Sequence, residues 1–167
     1  SNASTVIHET GHALGLPDLY DYDATVGPSG GVGCWDVMQQ NSGDHNSFSK
    51  WMLGWLTPVI VAQGSSSVSL NPLSSNAEAL IVAPGFSEAD PFKEFYLVEA
   101  RNKTLNDDNC FFPDDSRLLV WHVDARLNSW YDWAWDNSYT EHKYMRVMEA
   151  DGLEEIENGV SGDSWAV

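Results

Sequence analysis

The chain has 167 residues, enough for one domain with a substantial core and a small satellite subdomain. Eight basic against twenty-five acidic side chains give a formal charge of -17, which argues against nucleic acid or an anionic membrane surface as partner. No apolar run reaches membrane-spanning length, no leader peptide is visible, and the two cysteines, Cys34 and Cys110, lack the Cys-x-x-Cys spacing of redox or zinc-ribbon sites.

Ser1-Asn2-Ala3 reads as the remnant of a cleaved tag, so the natural sequence is taken to start at Ser4. His8-Glu9-Thr10-Gly11-His12 follows at once. Residues four apart on a helix lie on one face, so the imidazoles of His8 and His12 can converge on a single ion, with zinc the expected metal. Glu9, beside the first ligand, is placed to act as general base on a water. Gly15 ends the helix, Pro17 forbids its continuation, and the turn presents Asp18 as the third ligand. The segment from Leu19 to Gly31 has turn composition, and Asp21 and Asp23 are read there as turn residues in preference to calcium ligands.

Gly33-Cys34-Trp35-Asp36-Val37-Met38 is an apolar segment ending in Met38. By itself a Met beside Trp and Val is core filler. Metzincin proteases, however, carry a Met turn beneath the metal after the ligand helix, and Met38 stands in the corresponding part of this chain. Phe48, Trp51, Met52 and Trp55 then repeat at helical spacing, predicting a helix capped by Asn46 or Ser47, stopped by Pro58 and packed against the histidine helix. His45 is expected to cap or lie at the surface.

From Val59 the pattern changes to short apolar or alternating runs at 59–61, 67–70, 79–82, 94–99, 117–123 and 143–149, separated by turn-forming clusters and expected as antiparallel strands. The fold class is therefore α+β: a short helical unit over residues 4–58 followed by a β-rich region, sheet or sandwich, over 59–167. His122 and Asp124 share a strand face. Trp130, Tyr131, Trp133 and Trp135 form an aromatic cluster that fits a sugar or peptide platform or a core cover. The acidic, Gly-rich tail from Glu149 makes Ca²⁺ a second candidate cofactor. A Cys34–Cys110 disulfide is left open.

Taken together, His8 to Asp21, Trp35-Asp36-Val37-Met38, Lys50 to Pro58, Phe95 to Arg101, Leu118 to Asp124 and Glu149 to Gly152 resemble the immune inhibitor A group of secreted bacterial metalloproteases, which are metzincin-like. The resemblance spans nearly the whole chain. It implies an extracellular zinc endopeptidase acting on protein or peptide substrates, with His8, His12 and Asp18 as ligands, Glu9 as general base and Met38 in the turn below the metal. It further implies that a substrate-binding subdomain precedes residue 4 in the parent protein, so that this portion alone would cut peptides poorly. The alternatives are an inactive metal-binding relative and a carbohydrate- or calcium-binding β-module.

Overall fold

The computed structural model describes residues 3–90, 92–108 and 117–157. Helix α1, Ala3–Ala13, carries the histidines and ends where Gly15 takes a φ of 97°. There Gly15 N–H bonds the His12 carbonyl and Leu16 N–H reaches back to the Gly11 carbonyl, the paired bonds of a Schellman stop. Helix α2, Val37–Gln40, is one turn capped by the Asp36 carboxylate on Met38 N–H. Helix α3, Ser47–Met52, is capped as expected by Asn46, whose side chain accepts from Ser49 N–H.

The expected run of α3 to Pro58 is too long. Gly54, at φ 72°, bonds Trp51, and Trp55 N–H returns to the Lys50 carbonyl, so a second Schellman stop ends the helix at Met52. That turn takes Trp55 off the apolar stripe and leaves it exposed, as is Met52. Phe48 is the buried anchor, and it packs against Phe95, Trp133 and Tyr144 of the β-rich part instead of the histidine helix.

Among the described residues, five strands form one mostly antiparallel sheet in the order β1 (Val59–Val61), β2 (Leu80–Val82), β3 (Glu94–Arg101), β4 (Arg117–Asp124) and β5 (Met145–Val147). The exception is β1, which runs parallel to β2, with Ile60 opposite Ile81. Residues 62–79 supply the long crossover that such pairing requires. The expected strand at 67–70 is absent. The chain regains the sheet just afterwards, where Leu73 N–H bonds the Ala100 carbonyl and the Leu73 side chain is buried.

The long central pair β3 and β4 alternates inward-facing residues, with Phe95, Leu97, Leu119, Trp121 and Val123 in the core. Val37, Met38 and Phe48 join the same apolar cluster, so the helical unit rests on the sheet. At this junction Arg101, fully buried, donates to Glu99 and to both oxygens of Asp107, while Glu99 also accepts from Ser47 N–H. Charges removed from water in this way are tolerated because each is paired and hydrogen-bonded.

Candidate metal centre

The two histidines leave α1 toward a common point. His8 Nδ1 lies 2.9 Å from the Val37 carbonyl, and His12 Nδ1 lies 2.9 Å from the Leu16 carbonyl. A carbonyl can only accept, so each Nδ1 carries the proton, and in the neutral ring Nε2 is left as a bare lone pair. The stop after α1 thus does two things: it ends the helix and swings the Leu16 carbonyl under His12. One turn of α2 does the same for His8 through Val37.

Asp18 completes the group. Its Oδ1 lies 3.1 Å from His8 Nε2 and 3.1 Å from His12 Nε2. That oxygen is buried and has no hydrogen-bond partner. His8, His12 and Asp18 therefore converge with their ligand atoms within 4.8 Å of one another, as their spacing predicts. Two imidazole nitrogens and a carboxylate oxygen form the donor set that suits Zn²⁺. Asp18 Oδ2 points the other way and accepts from Tyr20 and Tyr22. The Tyr20 hydroxyl is held above the usual phenol range chiefly by its hydrogen bond to Asp18, with burial, the Asp18 charge and the Glu9 charge adding to it. Burial first, and then Asp18, push Tyr22 further in the same direction, so both phenols remain donors. Glu9 is exposed on α1, next to His8 in the chain, and its charge adds a small upward push on Tyr20.

Met38 is fully buried against α1 at Gly11. The turn that holds it is tied by Asp36, whose carboxylate accepts from Met38 N–H, Asn46 N–H and the Asn46 side-chain amide. Burial pushes the Asp36 carboxyl up to about 7, against the pull of those hydrogen bonds. His45, expected to cap or lie at the surface, is buried beside Gly11 and Trp55, and burial lowers its pKa. Asp36 and the tyrosines went unread in the sequence as supporting residues, although Asp two positions before Met is an N-cap signal and Asp18-x-Tyr20-x-Tyr22 is a period-two pattern.

Other sequence candidates are used differently. Asp21 and Asp23 accept from backbone N–H groups two residues on, which is ordinary turn chemistry. His122 lies near Glu94 and Tyr96, whereas Asp124 is buried and engaged by Arg126 and His142, so the shared strand face does not pair them. Glu94, Asp124 and His142 also stand close enough to hold an ion, but Arg126 donates to both Asp124 oxygens. Trp133 and Trp135 pack on the core, while Trp130 and Tyr131 project into solvent, so the aromatic cluster is divided between two roles. The Glu149 carboxylate accepts from the N–H groups of Glu155 and Ile156; the tail beyond Glu157, like Cys110 and the disulfide considered for it, lies outside the described residues. A groove of about 780 Å³ runs along a different face of α1, past Val6, Leu14 and Trp55, and does not include the three ligand side chains.

In comparisons with known proteins, no family model, no curated protein and no solved structure matches this chain.

Proposed function

We propose that this chain carries the metal-binding half of a zinc endopeptidase active site, its helical unit corresponding to a zincin lower subdomain. The observation that supports the reading is the meeting of three acceptors, His8 Nε2, His12 Nε2 and Asp18 Oδ1, with no donor among them. Asp18 Oδ1 is buried without a hydrogen-bond partner, and a buried acceptor facing two imidazole nitrogens in this way is satisfied by a cation. The hydrogen bonds from Nδ1 to the Val37 and Leu16 carbonyls orient the rings as outer partners of metal-bound histidines do.

His8, His12 and Asp18 would hold Zn²⁺, which would supply polarisation of a carbonyl and a water of lowered pKa, about 7. In this proposal Glu9 takes the proton of the attacking water and returns it to the leaving amine. Met38 gives the ligands a dry, apolar floor, and Asp36 holds that floor in place. The resemblance to secreted immune inhibitor A-like proteases supports an extracellular site of action and a peptide substrate whose backbone is gripped by a further subdomain of the parent protein.

Two measurements test this reading. Zinc titration of the chain should give one site, lost in His8→Ala and Asp18→Ala. Peptide hydrolysis by the full-length protein should fall by a factor of about 100 or more in Glu9→Ala, the range of general acid–base contributions, with zinc content unchanged. Persistent hydrolysis by that variant would remove Glu9 from its role. Zinc binding without hydrolysis in the unsubstituted full-length protein would instead favour an inactive metal-binding relative.

A further inference from the structure

Asp18 offers the metal centre one oxygen, because the other is already engaged. Its Oδ2 accepts from the Tyr20 hydroxyl at 2.7 Å and from the Tyr22 hydroxyl at 2.8 Å. The segment through 18–23 is irregular, with bends at Tyr20 and Tyr22, and the hydrogen bonds sort its side chains onto two sides. Asp18, Tyr20 and Tyr22 share one side. On the other, Leu19 is buried and Asp21 accepts from Tyr139 N–H. The two phenol rings lie 5.0 Å apart at 48°, so each limits the swing of its neighbour.

A carboxylate with both oxygens available can grip a large cation bidentately, the usual arrangement in Ca²⁺ sites of high coordination number. With two phenolic hydrogen bonds on Oδ2, that mode is opposed, and Oδ1 alone faces the histidine nitrogens. We propose that Tyr20 and Tyr22 are positioning residues that hold Asp18 as a one-oxygen ligand and so set the His8, His12 and Asp18 site for a tetrahedral ion against Ca²⁺. The inference rests on the zinc reading and adds to it the origin of metal selectivity. It also gives the Asp-Leu-Tyr-Asp-Tyr stretch a role beyond that of a turn.

The test uses the chain with Tyr22→Phe, Tyr20→Phe and both together. Tyr22 is half exposed, so its change leaves the fold standing even where the double variant loses stability. Zn²⁺ affinity is measured by competition with a chelator, Ca²⁺ is titrated as competitor, and the visible spectrum of the Co²⁺-saturated protein is recorded. Tetrahedral Co²⁺ absorbs strongly, and higher coordination weakens the bands, so the spectrum reads geometry directly. The expected result for the double variant is a loss of about 10- to 100-fold in Zn²⁺ affinity, the usual range for outer-shell partners. Weaker Co²⁺ absorption and a narrower Zn²⁺ over Ca²⁺ preference should accompany it, and Tyr22→Phe should move in the same direction by less. Unchanged affinity would overturn the inference, as would reduced affinity with an unchanged saturated Co²⁺ spectrum, the mark of a purely structural role. Failure of the unsubstituted chain to bind Zn²⁺ would overturn the zinc reading together with this one; binding by the parent with an unresponsive double variant would overturn this one alone.

Discussion

Gly11 lies between the two histidines of the candidate metal centre in sequence, on the face of α1 that meets Met38, and replacing it with Ala sets two known effects against each other. In favour of the variant, Ala is preferred to Gly inside a helix by about 1 kcal/mol. Against it, a methyl group at Gly11 would lie 2.5 Å from Met38 Sδ, 3.2 Å from its Cε and 3.5 Å from His45 Cε1. Met bends readily, but Met38 is fully buried and has little room to move without displacing its neighbours. Overpacking of this kind costs about 1–3 kcal/mol, so it should win by about 1 kcal/mol. In a chain of this size that is a fall of about 2–4 °C in the unfolding midpoint of the chelated protein. Zinc should feel the change more strongly. Widening the contact between α1 and α2 stretches the 2.9 Å pairing of His8 Nδ1 with the Val37 carbonyl, and loss of such an outer-shell bond costs about 10-fold or more in affinity. Thermal unfolding in chelator and zinc competition measure the two effects separately. A Gly11→Ala variant that is more stable by about 1 kcal/mol and binds zinc normally would refute the tight seating of Met38 on the ligand helix.

Asp36 predicts a pH effect of defined sign. Its carboxyl is raised from 3.8 to about 7 by burial, so between those values the folded chain holds a proton that the unfolded chain has lost. Stability on this account falls as pH rises through that window, by up to about 4 kcal/mol, and is level beyond it. Burial of His45 acts in the opposite direction, lowering stability as pH falls below its ordinary value of 6.5, so the informative quantity is the difference between parent and Asp36→Asn. That difference should change between pH 4 and 7 by the linkage above; parallel unfolding curves would contradict it. Arg101→Met should cost about 3–5 kcal/mol in urea unfolding, because Glu99 and Asp107 would remain buried without their cation. Saturating zinc at about 1,000 times its dissociation constant should stabilise the chain by about 4 kcal/mol over the chelated form, and Asp18→Ala should abolish the shift.

The convergence of His8, His12 and Asp18 was legible because its information is local. His8, His12 and the Gly15 stop lie within one helix and its first turn, and Asp18 follows at once. The Asn46 cap and the long strands β3 and β4 were readable for the same reason. What escaped depends on residues far apart in the chain. The parallel placement of β1 on β2 is decided by the crossover and by which edge of β2 is open, and neither writes a pattern into Val59-Ile60-Val61. The burial of Arg101 becomes intelligible only when Glu99, Asp107 and Ser47 are brought around it. Gly54 was a local signal, but the aromatic stripe continuing to Trp55 concealed it: apolar spacing argued for one more turn, and the Gly won. His45 offered no periodic context from which its burial could be read.

The loop that delivers Asp18 is tethered to a distant part of the chain. Asn137 donates to the Leu19 carbonyl and accepts from Met145 N–H, while Tyr139 N–H bonds Asp21; both links to the loop span 118 residues of sequence. Contacts of such separation form late and slowly compared with a helical turn. His8 and His12 are synthesised long before Asn137 and Tyr139, so the loop carrying Asp18 is fastened only after the β5 region has been made. If the proposed centre holds zinc, full-strength capture waits until synthesis has passed Met145, and a nascent chain arrested earlier should hold the ion less firmly than the finished one.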